Sequence, residues 1–280
     1  MKTVSYDEIV KQVASMCIEA NIVLPDETKR YYTESKRIET GRKAGSVFSY
    51  YMENMKAEEA ERIPVCQDTG IAVFFVRIGT DVEIEGASMI HDAINEGVRR
   101  GYTEGYLRKS VVSDPLFARI NTNDNTPAII HMEYVKGDTL EISFAPKGGG
   151  AENMSRLFML TPSAGRAGVV NAVMETVQDS CANPCPPVVV GIGIGGNFEY
   201  APYLAKKALF RGGPSQDNRY AELEKEILER LNGTGIGPQG FGGDITAFDV
   251  RIEHAPCHIA SLPVAVNLNC HVHRHMSISF

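Results

Sequence analysis

The chain has 280 residues, 43% of them hydrophobic and 22% charged, the composition of an ordinary globular protein able to bury a large core. A net charge of −7 excludes a general basic surface for nucleic acid or acidic lipid, so an anionic substrate would need a local basic pocket. No apolar run approaches the length of a membrane span, and Met1 to Val10 lacks the apolar core of a signal peptide, so the expected compartment is the cytoplasm.

In chain order, Ser5 is placed to cap a first helix with Ile9, Val13, Met16 and Cys17 on one stripe. Pro25 starts a second helix, and a third is expected from about Arg42 to Glu61. Ile63-Pro64-Val65-Cys66-Gln67-Asp68-Thr69-Gly70 then reads as a loop at the entrance of a buried strand, Ile71 to Ile78. A helix follows around Met89 to Val98, and Gly101 to Asn125 reads mostly as loop. Pro127 to Val135 and Thr139 to Ala145 alternate around Lys136-Gly137-Asp138, the pattern of a hairpin. The second of these strands runs into Gly148-Gly149-Gly150, where backbone amides can approach a ligand closely. Val169 to Cys181 is helical, Pro187 to Ile194 is the strongest buried-strand signal, and Gly195-Gly196-Asn197 leads into another helix. A helix over Tyr220 to Leu231, a Gly-rich loop and strands around Ile245 to Ile252 and Leu262 to Leu268 complete the chain. The expected fold class is α/β: a helical N-terminal segment, then a mixed β-sheet flanked by helices. It is expected as one domain over 1–280, helical to about residue 62, with the α/β core from about 63 to 280.

Six cysteines (Cys17, Cys66, Cys181, Cys185, Cys257 and Cys270) in a reducing compartment read as thiols, ligands or nucleophiles rather than as disulfides. Cys17, on a helix stripe, reads as core. Three constellations compete for the chemistry. Gly191-Ile192-Gly193-Ile194-Gly195-Gly196 fits a dinucleotide fingerprint, but no second strand follows at the acidic position, and a tight strand-to-helix turn explains it better. Cys257, His258, Cys270, His271, His273 and His275 could hold zinc, although Cys257 and Cys270 lack the usual pair spacing and the alternating histidines equally suit a solvated tail. Cys66, Cys185 and Cys270 each sit on a loop beside a strand; three thiolates suit an iron–sulfur cluster with one iron left open for Lewis-acid chemistry.

PVCQDTG, LRKSVVSDP, NTNDNTPA, PKGGGAENMS, NPCPPVVVGIGIGG, GIGPQGFGG and SLPVAVNLNC, in this order, resemble the iron–sulfur hydro-lyases, the class I fumarases and L-tartrate dehydratases. The resemblance runs from about Cys66 to Cys270 and implies a separate α subunit, equivalent to the N-terminal domain of the single-chain form. It implies a [4Fe-4S] cluster on Cys66, Cys185 and Cys270, with Cys181 and Cys257 structural or adventitious. It further implies that Gln67, Arg108, Gly149, Gly150 and His258 contact the substrate and that Asp68 is the catalytic acid/base. On the residues alone, Arg108 would be a solvated charge and His258 a satisfied core histidine. A β subunit, in an α2β2 assembly, would supply the base that takes the carbon-bound proton. GGGAENMS favours fumarate and L-malate as substrates over L-tartrate; a zinc or nicotinamide enzyme and a non-catalytic iron–sulfur sensor are the more distant alternatives.

Overall fold

The computed structural model describes residues 1–86 and 89–280. The chain forms two compact units interleaved in sequence: Met1–Pro25, Asn54–Gly149 and Arg274–Phe280 make the first, Asp26–Glu53 and Gly150–His273 the second. The expected α/β class is observed, and no described helix is long and apolar enough to cross a membrane.

In the first unit, a short strand β1 (Lys2–Ser5) leads directly into α1 (Tyr6–Ile22). Ser5 is the N-cap: its hydroxyl accepts from the Glu8 amide at 3.1 Å, and Asp7 and Glu8 complement the helix dipole. The apolar stripe of α1, Cys17 included, is buried with α4 (Ile90–Glu104) against strands β2 (Ile71–Gly79) and β5 (Leu140–Lys147). A second short strand, β3 (Val82–Glu85), pairs in parallel with β1; neither was expected, because four half-exposed residues carry too short an alternation to register.

The expected hairpin does not form. β4 (Ile129–Val135) and β5 are not neighbours; the sheet order is β10-β5-β2-β4, with β10 covering Met276–Ser279. β2 lies between them, parallel to β4 and antiparallel to β5. It is the most continuously apolar of the three, so it gains most from neighbours on both edges. The 136–139 turn closes over the end of β2 instead: Gly79 donates to Thr139 (2.7 Å), Thr80 to Val135 (2.9 Å) and Asp81 to Gly137 (2.9 Å).

The second unit contains α2 (Asp26–Ile38) and the first part of α3 (Arg42–Glu61), then α5 (Gly149–Glu152) from its second residue, β6 (Arg156–Leu160) and α6 (Gly165–Ser180). β7 (Val188–Gly196), α7 (Tyr200–Ala208), α8 (Asn218–Asn232), β8 (Ala247–Cys257) and β9 (Leu262–Asn269) complete it. Its sheet runs β6-β9-β7-β8, with β7 parallel to β8 and antiparallel to β9. Val188, Val190, Ile192 and Ile194 of β7 share one core with α6 and α8. The opposite face of β7 carries Gly191 and Gly193, and α7 lies directly on it. A Cβ at Gly193 would sit 2.0 Å from the Ala201 carbonyl oxygen, and one at Gly191 2.2 Å from that of Ala205.

The glycine run lies mainly in the expected strand, and Gly195 and Gly196, with φ of 94° and 66°, bend the chain out of it toward the expected helix. Its glycines allow close helix–strand packing and do not form a phosphate loop, which removes the motif behind the nicotinamide alternative. The last histidines are no solvated tail either: Val272, His273 and Arg274 are buried.

Gly193→Ala is expected to lower unfolding stability by about 2–3 kcal/mol, the cost of overpacking a closed interface. Urea unfolding at unchanged slope would show it as a lower midpoint; an unchanged midpoint would contradict the packing role.

Candidate functional site

In the first unit the site is built on the 63–70 loop. After α3 the chain is held by Val65, whose amide donates to the Asn21 carbonyl at 2.9 Å. Cys66 is half-buried; its sulfur accepts from the Asp68 amide at 3.4 Å and lies 3.5 Å from Oε1 of Gln67. The backbone N–H fixes the position of a sulfur that could serve as a metal ligand. Asp68 uses both side-chain oxygens: Oδ1 accepts from the Gly70 amide (3.0 Å) and Oδ2 from the Gly149 amide (2.8 Å). Gly70 has φ 72°, and a Cβ there would lie 2.7 Å from the Lys147 backbone nitrogen, so only glycine allows the loop to enter β2 against β5.

Arg108 is tied to the same loop through its backbone, since the Thr69 hydroxyl donates to its carbonyl at 2.9 Å. Its side chain is exposed, and no hydrogen bond or ion pair engages its guanidinium among the described residues. The fully buried Asn125 clips the two segments together. Its Oδ1 accepts from the Ser110 amide (2.6 Å), while its Nδ2 donates to the Gly70 carbonyl (3.2 Å). Tyr102, also fully buried, donates to the Thr69 carbonyl at 2.6 Å, and burial raises its hydroxyl pKa well above the usual phenol range. Cys66, Gln67, Asp68, Arg108 and Gly149 are thus brought together in one unit.

In the second unit Cys185 and Cys270 converge. Cys185 is exposed at φ 54°, a left-handed conformation that costs a residue with a side chain about 1–2 kcal/mol. The His271 amide donates to its carbonyl at 3.1 Å, joining the segment after β9 to the segment before β7. Tyr51 sits beside both. Its ring stacks on His271 at 4.0 Å, and its hydroxyl donates to the Pro186 carbonyl (3.3 Å) and accepts from Nε2 of Gln239 (2.6 Å). Burial raises the Tyr51 pKa, the Gln239 bond opposes this, and the nearby Cys185 and Cys270 thiols add to the rise. Gly150 lies close to this loop: a Cβ there would be 3.4 Å from the Asn183 carbonyl oxygen.

His258 is not brought to Cys185 and Cys270. The register pairs Val188 with Ala247 and Gly196 with Cys257, so Cys185 precedes the start of β7 whereas His258 follows the far end of β8. The nine residues of β7 separate them by roughly 30 Å at the rise of an extended strand. Nor is His258 a core histidine. It is exposed, accepts from the Ala260 amide at 3.1 Å, and helps line a cavity of about 470 Å³ with Gly196, Asn197, Glu199, Tyr200, Pro256 and Cys257.

The same register takes apart the zinc cluster suggested by the sequence, because Cys257 and His258 lie at one end of the sheet and Cys270 and His271 at the other. His271 is 3.1 Å from the Tyr32 hydroxyl through Nδ1. His273 lies between Asn269 (2.7 Å) and Glu27 (3.3 Å). Cys181 and Cys257 are exposed, the latter donating to the Ser261 carbonyl at 3.4 Å.

Cys66, Cys185 and Cys270 form no disulfide, and each lies on a loop adjoining a strand; thiols of this kind suit a thiolate-held iron–sulfur group. The motifs carry these residues; Asn21, which accepts from the Val65 amide, and Tyr102 and Arg274, which donate to the Thr69 and Asp68 carbonyls, lie outside them because a buried polar residue within a helix or tail carries no local signal. Asn125 lies inside the NTNDNTPA motif, which alone gives it no role.

Comparison with known proteins agrees in family. A family profile described as "Fumarate hydratase (Fumerase)" matches residues 10–279. The chain is 43% identical, over 263 residues and 92% of each chain, to the Methanocaldococcus jannaschii protein named "Putative L(+)-tartrate dehydratase subunit alpha". It is 33% identical over 280 residues, 98% of this chain and 91% of the other, to the L(+)-tartrate dehydratase subunit alpha of Escherichia coli. The Shigella boydii protein of the same name is 32% identical over the same shares.

Burial pushes the Cys17 thiol far up and leaves it inert. Iodoacetamide on the native, cluster-free chain is therefore expected to label Cys181, Cys185 and Cys257 but not Cys17, and denaturant to release Cys17. Peptide mass spectrometry reads the pattern; labelling of Cys17 in the native chain would contradict the burial.

Proposed function

From the premise that the chain belongs to the fumarate hydratase family of hydro-lyases, we propose that it is the α subunit of an iron–sulfur enzyme interconverting fumarate and L-malate. The observation that carries the reading is the carboxylate of Asp68, held by two backbone amides one residue beyond Gln67 and two beyond Cys66. Cys66, Cys185 and Cys270 would hold a [4Fe-4S] cluster. When bound, the cluster supplies a Lewis acid, an iron without a protein ligand, for the substrate's hydroxyl.

The residues of the chain supply the rest. The guanidinium of Arg108, with no partner among the described residues, receives a carboxylate of the doubly anionic substrate in bidentate fashion. Gln67 orients the same substrate, and the Gly150 amide presents an N–H donor to it, the Gly149 amide being engaged by Asp68. Asp68 holds the proton that joins the departing hydroxyl as water, and takes it back in the hydration direction. The Gly149 amide donates to Asp68 and so keeps the carboxylate aimed in one direction. The proton on the neighbouring carbon leaves to a base on a partner β subunit, consistent with the designation of the relatives as α subunits. An α2β2 assembly in the cytoplasm is part of the proposal. His258, at the other end of its sheet from Cys185 and Cys270, would reach a substrate only through a second copy in that assembly.

The choice of fumarate rests on the GGGAENMS loop, whose first glycine leaves room for Asp68: a Cβ at Gly148 would lie 3.1 Å from Oδ2. The names of the relatives favour a second reading, L-tartrate dehydrated to oxaloacetate, with the same residues in the same roles. Anaerobic turnover by the reconstituted chain with its partner, on fumarate/L-malate and on L-tartrate side by side, decides between them. The expected result is preference for fumarate and L-malate, with the chain alone almost inactive; preference for L-tartrate overturns the substrate, and turnover by the chain alone overturns the need for a partner.

A further inference from the structure

Arg274 occupies a costly position. It is 3% exposed, and among the described residues no carboxylate lies within ion-pair distance of its guanidinium. One nitrogen, Nη1, donates to Oδ1 of Asn21 at 2.8 Å, and the other, Nη2, donates to the backbone carbonyl of Asp68 at 2.9 Å. Both acceptors are neutral. The direct hydrogen bonds of Arg274 go to neutral oxygens, and the Glu58 carboxylate acts on it only through space, so burying this cation carries a cost that an apolar side chain of similar size would avoid.

The surroundings indicate what the cost serves. Asn21 is itself fixed: its Nδ2 donates to the Cys17 carbonyl at 2.8 Å, and its own carbonyl accepts from the Val65 amide at 2.9 Å. The loop is therefore pinned at Val65 through Asn21, at Asp68 through Arg274 and at Thr69 through Tyr102. Cys66 and Gln67 lie between the first two pins. A planar guanidinium reaches the two acceptors from two nitrogens at a fixed separation; a lysine would have to reach both from one nitrogen on a differently shaped side chain.

We infer that Arg274 is a positioning residue for Asp68, holding the Asp68 peptide so that its carboxylate stays on the Gly70 and Gly149 amides. The inference rests on the proposed role of Asp68, but it has a readout of its own. Hydrogen exchange of the Gly70 and Gly149 amides in the full chain needs neither cluster nor partner. In Arg274→Lys both amides are expected to exchange about tenfold faster or more, with the interior amides of β2 and β5 unchanged.

In the reconstituted complex the same variant is expected to lose about tenfold or more in kcat with KM nearly unchanged, the split expected when a reacting group is misplaced but binding is kept. Unchanged exchange at Gly70 and Gly149 in the folded variant overturns the inference. So does a uniform rise across the unit, which would mark a merely structural residue. If wild-type complex fails to turn over either substrate, the hydro-lyase proposal falls while the exchange result still decides the positioning role. For the case in which Arg274→Lys does not fold, nitrogen NMR of the wild-type chain gives the second test. A guanidinium pinned at both ends shows two separate Nη resonances for Arg274, and a single averaged resonance contradicts the pinning.

Discussion

Two backbone amides, those of Gly70 and Gly149, point at one carboxylate, and much of the first unit serves that arrangement. A carboxylate that accepts from two amides is aimed, but its donors must come from chain segments 81 residues apart. β2 and β5 bring them together, because Ile71 pairs with Lys147 where both segments leave the sheet. Gly70 makes this possible by taking a left-handed conformation against the Lys147 backbone. The displacement of the expected hairpin belongs to the same logic. With β2 between β4 and β5, the loop carrying Cys66 emerges next to the strand end that carries the glycines.

The second unit solves a similar problem with different means. Cys185 and Cys270 belong to loops adjoining β7 and β9, neighbouring antiparallel strands, so the end of one strand and the start of the other lie side by side. The Cys185 carbonyl, the His271 amide and the stacked Tyr51 ring lock these loops together. Elsewhere in the unit a fully buried Arg251 joins β8 to α2, reaching Asp249 at 2.8 Å and Glu27 at 2.9 Å. Removal of one partner from such a buried ionic group typically costs about 3–5 kcal/mol.

Legibility in the sequence followed the range of the forces involved. The start and buried face of helix α1 could be read because their signals are local: a serine cap and an apolar stripe. β2 and β7 could be read because continuous apolar runs need burial on both faces. The hairpin failed because alternation identifies strands but not which strand lies between them. The glycine run was legible as strand and turn, but not the reason for Gly191 and Gly193, which answer to α7, a helix still to come in the chain. The cysteine triad could not be derived from spacing; it came through resemblance, and the structure places Cys185 and Cys270 together within one unit. His258 shows the limit of that route: a motif position carries over in sequence, while the sheet register sets it at the opposite end from the two cysteines. Arg274 and Asn21 were invisible because a buried polar contact between chain termini leaves no periodicity to detect.

The central claim is that Cys66, Cys185 and Cys270 serve one iron–sulfur group. Anaerobic iron and acid-labile sulfide analysis of the reconstituted chain, beside Cys66→Ser, Cys185→Ser, Cys270→Ser and Cys257→Ser, tests it most directly. The account predicts iron with equimolar sulfide in the wild-type chain and in Cys257→Ser, and its loss in each of the other three. Zinc without sulfide, or a cluster that survives all three substitutions, would contradict it.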